Sequence, residues 1–217
     1  MIELTVKALA AYLIGSIVGS LLIGKLRGVD IRTMGSGNAG ATNMLRIQGK
    51  AAALAVLLID VGKGWVATGV LAPGQIPGVA PAGLETRALI LTVCGLAVIV
   101  GHVFPLWYGF RGGKGVATFV GAVLGIDAGL ALAMVLTWLV VVILSGFVGL
   151  ASIAGAGAVA AAIAAHHSSG GMPLLAFGIL ALLLIIYTHR ANIGRMLSGT
   201  EPRAKRLWLF GLRRGPD

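Results

Sequence analysis

The chain is 217 residues long and only 11% charged, whereas a soluble domain is about a quarter charged. It carries 17 basic and 7 acidic residues, a net charge of +10, and the single cysteine Cys94, so neither a disulfide framework nor a Cys-based metal site is available. With 58% apolar residues, these values exclude a soluble globular domain and leave a membrane protein.

An apolar run over 4–24 follows Glu3, with no small-residue cleavage signature before the next polar stretch, and predicts a retained first crossing. Gly15 and Gly19 inside it allow close approach of a neighbouring backbone. A second crossing is expected over 52–72. It contains Asp60 and Lys63, three residues apart, and an isolated charge at that depth costs on the order of 2.5–3.5 kcal/mol. Pairing with each other relieves that cost. The pair reads either as a structural ion pair or as support for polar residues nearer the surface. A third crossing is expected over 87–103, with Cys94 as a small core residue.

From Val116 to Ala165 the chain stays apolar, broken only by Gly125-Ile126-Asp127 and Ser145-Gly146-Phe147-Val148-Gly149. Helices over 116–126, 129–147 and 150–166 fit best, the first being too short to cross unless it begins in a partly buried loop. A last crossing is expected over 172–188. The fold class is therefore an all-α membrane protein, a seven-transmembrane-helix bundle forming one domain over 1–217; six crossings is the alternative.

Charge then orients the bundle. With seven crossings, all basic residues except Lys7, Lys63 and Arg87 fall on one face, and an excess of Lys and Arg marks the cytoplasmic side. The +10 charge thus follows from topology and attraction to anionic lipid, with no nucleic-acid partner required. His166 and His167, on the opposite face, are expected only to cap a loop.

Three polar segments share the basic face. The first runs Gly35-Ser36-Gly37-Asn38-Ala39-Gly40-Ala41-Thr42-Asn43, with Arg46 one turn beyond. Its glycines can line up backbone amides around an anion, with Ser, Thr and Asn adding donors; the alternative is an ordinary loop with helix caps. The second runs Gly101-His102 to Phe110-Arg111-Gly112-Gly113-Lys114-Gly115-Val116-Ala117-Thr118 and opens the next helix. Paired glycines, a lysine and a helix start suit phosphate. It is not a nucleotide P-loop, because Tyr108 replaces the first glycine and no Ser or Thr follows Lys114. The third runs His189-Arg190-Ala191-Asn192-Ile193-Gly194-Arg195 to Glu201. If the last crossing continues as one helix, His189, Asn192 and Arg195 share a face.

Together, and in this order, the three motifs resemble the PlsY family, the bacterial membrane-integral glycerol-3-phosphate acyltransferases. The resemblance covers nearly the whole chain. It implies a cytoplasmic active site in the bacterial plasma membrane, with the C-terminus on the same side. It also implies acyl phosphate as donor, glycerol 3-phosphate as acceptor, 1-acyl-glycerol 3-phosphate as product, and coupling to the enzyme that makes the acyl phosphate. By similarity, Ser36, Arg46, Lys114, His189 and Asn192 are the catalytic set. Gly35, Gly37, Asn38, Thr42, Asn43, Gly112, Gly113, Gly115 and Arg195 are expected around the substrates, with Asp60, Lys63 and Glu201 as structural residues.

The chemistry suits these residues without cofactor or metal. Two phosphate anions side by side need clustered cations, for which Arg46, Lys114 and Arg195 are available. An acyl phosphate is already activated, so positioning the hydroxyl and stabilising the oxyanion are the main tasks. The proton goes either to His189 or to a substrate phosphate oxygen. No His-x4-Asp pair exists for acyl-CoA chemistry: Trp107, Gly171, Met172 and Gly194 stand at the required positions. A transporter of organic phosphate is the rival reading, favoured only by Asp60 and Lys63. A scaffold would leave Ser36, Arg46, Lys114 and His189 without a purpose.

Overall fold

The computed structural model describes residues 1–78, 83–165, 171–205 and 207–209, and the described residues form helices and turns without a strand. His166 and His167 lie outside the described residues. In chain order the helices are α1 (Ile2–Gly15), α2 (Gly19–Leu26), α3 (Ala41–Trp65), α4 (Leu84–Val103), α5 (Val116–Ile126), α6 (Ala128–Ser145), α7 (Val148–Ala165), α8 (Gly171–Thr188) and α9 (Arg190–Leu197). A π-helical turn, Val66–Leu71, extends α3.

Five helical segments are long and apolar enough to cross a membrane, and the bent pair α1–α2 makes a sixth. The expected seventh, α5, has 11 residues and a length of about 16 Å. Its two ends nevertheless meet different parts of the bundle. Lys114, just before it, bonds to Thr188 at the end of α8 and to Asn192 beyond it, while Ile126 and Asp127 share a cavity with Ala72 and Gly171 at the other end. The motif segments that follow α2, α4 and α8 therefore meet on one face.

The expected single first helix over 4–24 is broken, and α1 and α2 meet at 45°. The break leaves backbone groups of Gly15, Ile17 and Gly19 without helical partners, and two residues of α3 supply them. Lys63 Nζ donates to the carbonyls of Gly15 (2.9 Å) and Ile17 (2.8 Å), while Asp60 Oδ1 accepts from the Gly19 amide (3.1 Å). Asp60 and Lys63 pair at 2.9 Å, both almost fully buried. The two readings of this pair thus merge, because it is an ion pair whose task is to hold a broken helix.

The bundle packs closely where side chains are absent. A Cβ on Gly121 of α5 would lie 1.9 Å from the Val61 carbonyl of α3, and one on Gly64 would lie 2.2 Å from the Thr118 carbonyl, so these backbones touch only as glycine. Between the layers lies a core containing Val98, Ile99, Phe119, Met134, Phe177 and Ile185. At the end away from the motifs, Lys7 donates to the carbonyls of Ala72 (2.7 Å) and Gly74 (2.6 Å) and pairs with Glu3. A cavity of about 1040 Å³ opens there, and none of the expected site residues lines it.

Candidate active site

On the motif face, the first segment is a loop braced from beneath. Asn43, at the start of α3, is 1% exposed; its Oδ1 accepts from the Ser36 amide (2.9 Å), and its Nδ2 donates to the Ile31 (3.1 Å) and Met34 (2.9 Å) carbonyls. The Gly37 and Gly40 amides are also bonded within the loop. The expected row of anion-binding amides is thus largely consumed at Ser36, Gly37 and Gly40, and Asn43 braces the loop. Gly35 and Gly37 have φ of 58° and 69°, which lets the chain turn over Asn43. Ser36, Thr42 and Arg46 are exposed. Among the described residues Arg46 makes no hydrogen bond or ion pair, and no hydrogen bond joins Ser36 or Arg46 to the other two motifs.

The second segment folds back onto the end of α4. The amides of Gly112 and Gly113 donate to the Val103 (3.0 Å) and His102 (3.1 Å) carbonyls, closing carbonyls that the helix end leaves open. Direct phosphate binding through those two amides, the expectation from the glycine pair, is thereby displaced. The pair serves close packing instead: a Cβ on Gly112 would lie 1.9 Å from the His102 carbonyl, and one on Gly113 2.3 Å from His102 Nε2. The amides of Lys114, Gly115, Val116 and Ala117, the open first turn of α5, make no backbone hydrogen bond to a described residue. They are free amides of the kind that a helix start offers to an anion.

The third segment departs from a continuous helix. The chain breaks at His189 (φ −98°, ψ 6°), and α9 begins at Arg190. His189 is 3% exposed, and its Nδ1 lies 2.8 Å from the Ile185 carbonyl. A carbonyl only accepts, so Nδ1 carries the ring proton and Nε2 keeps its lone pair. Burial, with the nearby charge of Lys114, pushes the imidazole down to about 4, against the opposing bond to Ile185 and the charge of Glu201.

From Lys114 a chain of bonds ties the second and third segments together. Lys114 Nζ donates to Asn192 Oδ1, Asn192 Nδ2 donates to Glu201 Oε1 (2.6 Å), and Arg195 Nε donates to Glu201 Oε2 (2.7 Å). Thr188 Oγ1 adds a bond to the Lys114 carbonyl (3.0 Å). Burial, then repulsion from Arg195, lowers the Lys114 ammonium to about 8, with Glu201 opposing. A cleft of about 220 Å³ opens beside Lys114, lined by Asn38 of the first segment, Gly112 to Lys114 of the second, Thr188 at the end of α8 and Arg190 of the third segment. All three motifs therefore reach one concave, cationic surface.

The family model described as glycerol-3-phosphate acyltransferase matches residues 5–199. The chain belongs to that family. Curated glycerol-3-phosphate acyltransferases include that of Thermosynechococcus vestitus, 43% identical over 201 residues, covering 90% of this chain and 92% of the relative. That of Aquifex aeolicus is 40% identical over 193 residues, covering 89% and 95%. A crystal structure of PlsY, an integral membrane glycerol 3-phosphate acyltransferase, in its glycerol 3-phosphate form is 36% identical with a TM-score of 0.83, covering 92% of this chain and 94% of that one. Its lysophosphatidic acid form superposes with a TM-score of 0.80 over the same shares.

In this acyltransferase, sequence reasoning missed several residues at the cleft. Arg111 and Arg190 line it beside Lys114. Arg32 donates to the Tyr108 carbonyl (3.1 Å), tying the chain just before the first segment to the second. His102 lies directly beneath Gly113. Arg111, Arg190 and His102 stand within the quoted motifs and were legible as neighbours of the chosen residues. Arg32 lies before the first motif and carried no signal.

Proposed function

We propose that the protein transfers an acyl group from acyl phosphate to the 1-hydroxyl of glycerol 3-phosphate. The products are 1-acyl-glycerol 3-phosphate and phosphate, in the first committed step of phospholipid synthesis. The observation that carries this reading is the junction at Lys114, where an open helix start and a partly buried ammonium stand beside a buried, neutral histidine.

In this reading the acceptor phosphate rests against the first turn of α5 and Lys114, with Arg195 adding charge. The acceptor hydroxyl donates to His189 Nε2, and Asn192 fixes the Lys114 ammonium through its side-chain oxygen. Ser36 and Arg46 hold the donor phosphate from the other side of the cleft. Asn38, Gly112 and Gly113 line the walls, and Gly35, Gly37, Thr42 and Gly115 shape the loops that carry them.

The hydroxyl oxygen attacks the acyl carbon, the bond from that carbon to the phosphate oxygen breaks, and phosphate leaves. An imidazole whose conjugate acid ionises near 4 is a weak base at neutral pH, so His189 Nε2 orients the hydroxyl before attack. As the new C–O bond forms, the hydroxyl proton leaves that hydrogen bond for an oxygen of the departing phosphate. The mixed anhydride is activated already, and no covalent enzyme intermediate is required. Asp60 and Lys63, the features that favoured transport, are engaged by the break between α1 and α2.

The concentration of Lys and Arg on the motif face supports a cytoplasmic site in the bacterial inner membrane, within reach of the enzyme that makes the acyl phosphate. The whole chain acts as one catalytic unit. The test uses purified protein in detergent with radiolabelled glycerol 3-phosphate and, separately, acyl phosphate, acyl-CoA and acyl carrier protein thioester. Label is expected in lysophosphatidic acid with acyl phosphate alone. Equal transfer from a thioester, or none from acyl phosphate, overturns the donor assignment.

A further inference from the structure

The residues beneath the second motif form a buried assembly that the proposed mechanism does not use. Lys63 Nζ lies 2.8 Å from His102 Nδ1, as well as 2.9 Å from Asp60. An ammonium has only hydrogens to offer, and an Nδ1–H facing it would oppose two donors, so Nδ1 accepts and Nε2 carries the ring proton. The contact of His102 Nδ1 with Asp60 Oδ1, 3.4 Å, is then close approach alone. His102 is 2% exposed, with its ring against Gly113 and its carbonyl bonded to the Gly113 amide.

Two further ties run from the same break to the same loop. Tyr12 Oη donates to the Phe104 carbonyl (2.8 Å), and Ser16 Oγ accepts from the Leu106 amide (3.2 Å). The break between α1 and α2 is thus bonded downward to Asp60 and Lys63 and sideways to both the end of α4 and the loop that follows. A continuous first helix has no free carbonyls at Gly15 and Ile17 for Lys63, and without Lys63 the imidazole of His102 loses its anchor.

We propose that Asp60, Lys63 and His102 form a positioning assembly for the acceptor. Seated in the broken first crossing, it sets the height and tilt of the Gly112–Lys114 loop, and with them the place of the glycerol phosphate. None of the three touches substrate. The proposal rests on the acceptor-site assignment above. It predicts an effect larger on the acceptor than on the donor, because the first motif, which holds the donor, has a brace of its own in Asn43.

The experiment measures kcat and both KM values for His102→Leu, His102→Asn and Lys63→Met, purified and monodisperse in detergent. His102→Leu and Lys63→Met are expected to raise the KM for glycerol 3-phosphate about tenfold or more, with the donor KM and kcat changed less than about threefold. His102→Asn, which can still accept from Lys63, should recover most of the loss. An acceptor KM unchanged in His102→Leu, or both KM values rising together, overturns the proposal. Should these variants not accumulate, the double variant Tyr12→Phe, Ser16→Ala removes the lateral ties, together with the bond of Ser16 Oγ to the Tyr12 carbonyl. It is expected to raise the acceptor KM with the donor KM held; an unchanged acceptor KM overturns the claim that the break sets the place of the loop. A wild-type protein inactive with acyl phosphate sinks the functional reading, whereas an active wild type with flat variants sinks only this inference.

Discussion

Lys114 and His189 are both pushed toward their neutral forms by burial, yet the chemistry needs them in opposite states. Lys114, lowered to about 8, keeps its cation below that pH and loses it above. His189, lowered to about 4, stays an uncharged acceptor until the pH falls to that value. The profile of kcat/KM for the acceptor, which reports the free enzyme, is therefore expected to fall on the alkaline side near pH 8 and to lack a histidine limb near 6.5. Lys114→Gln should be weakly active without the alkaline limb, and His189→Gln should retain that limb. An alkaline limb that survives in Lys114→Gln removes Lys114 from its role as the titrating cation. Residue types were legible at this scale, and their partners were not. The motif spelling singled out Asn43, but nothing local says that its amide lies under the loop, since that depends on the loop turning over it at Gly35 and Gly37.

Helix boundaries from apolar runs lay within a few residues of those found for the later crossings, such as 129–147 against Ala128–Ser145 and 172–188 against Gly171–Thr188. Missed were the breaks inside runs that read as continuous, after Gly15 and at His189. Neither contains proline. The first is supported by charges some forty residues later in the chain, and the second by a bond from Thr188 to the Lys114 carbonyl, so both are written in tertiary contacts rather than in local propensity. The close crossing of α3 and α5 offers a test. Gly121→Ala places a methyl against the Val61 carbonyl and is expected to cost about 1–3 kcal/mol, read as a lowered unfolding midpoint in detergent. A midpoint equal to wild type means that the two helices have room to separate.

The fold class followed from composition and periodicity, while the number of crossings turned on α5, whose 11 residues sit at the margin of any length rule. Orientation is open to direct measurement. Cys94 is fully buried, so a Cys94→Ala background can carry single reporter cysteines at exposed positions, Thr42 and Lys50 on the motif face and Gln75 on the other. A membrane-impermeant maleimide applied to right-side-out vesicles is expected to label Gln75→Cys alone. Reaction at Thr42→Cys or Lys50→Cys in sealed vesicles places the motif face outside the cell. The brevity of α5 has its own consequence. Its lower end is joined through Asp127 to α6, which climbs back for 18 residues while α5 climbs for only 11, so α5 starts about 10 Å short of its neighbour. The cleft at Lys114 is therefore recessed below the neighbouring helix end. Under the proposed function glycerol 3-phosphate has to descend into it from water, while the missing turns of α5 leave a low wall for an acyl tail to cross.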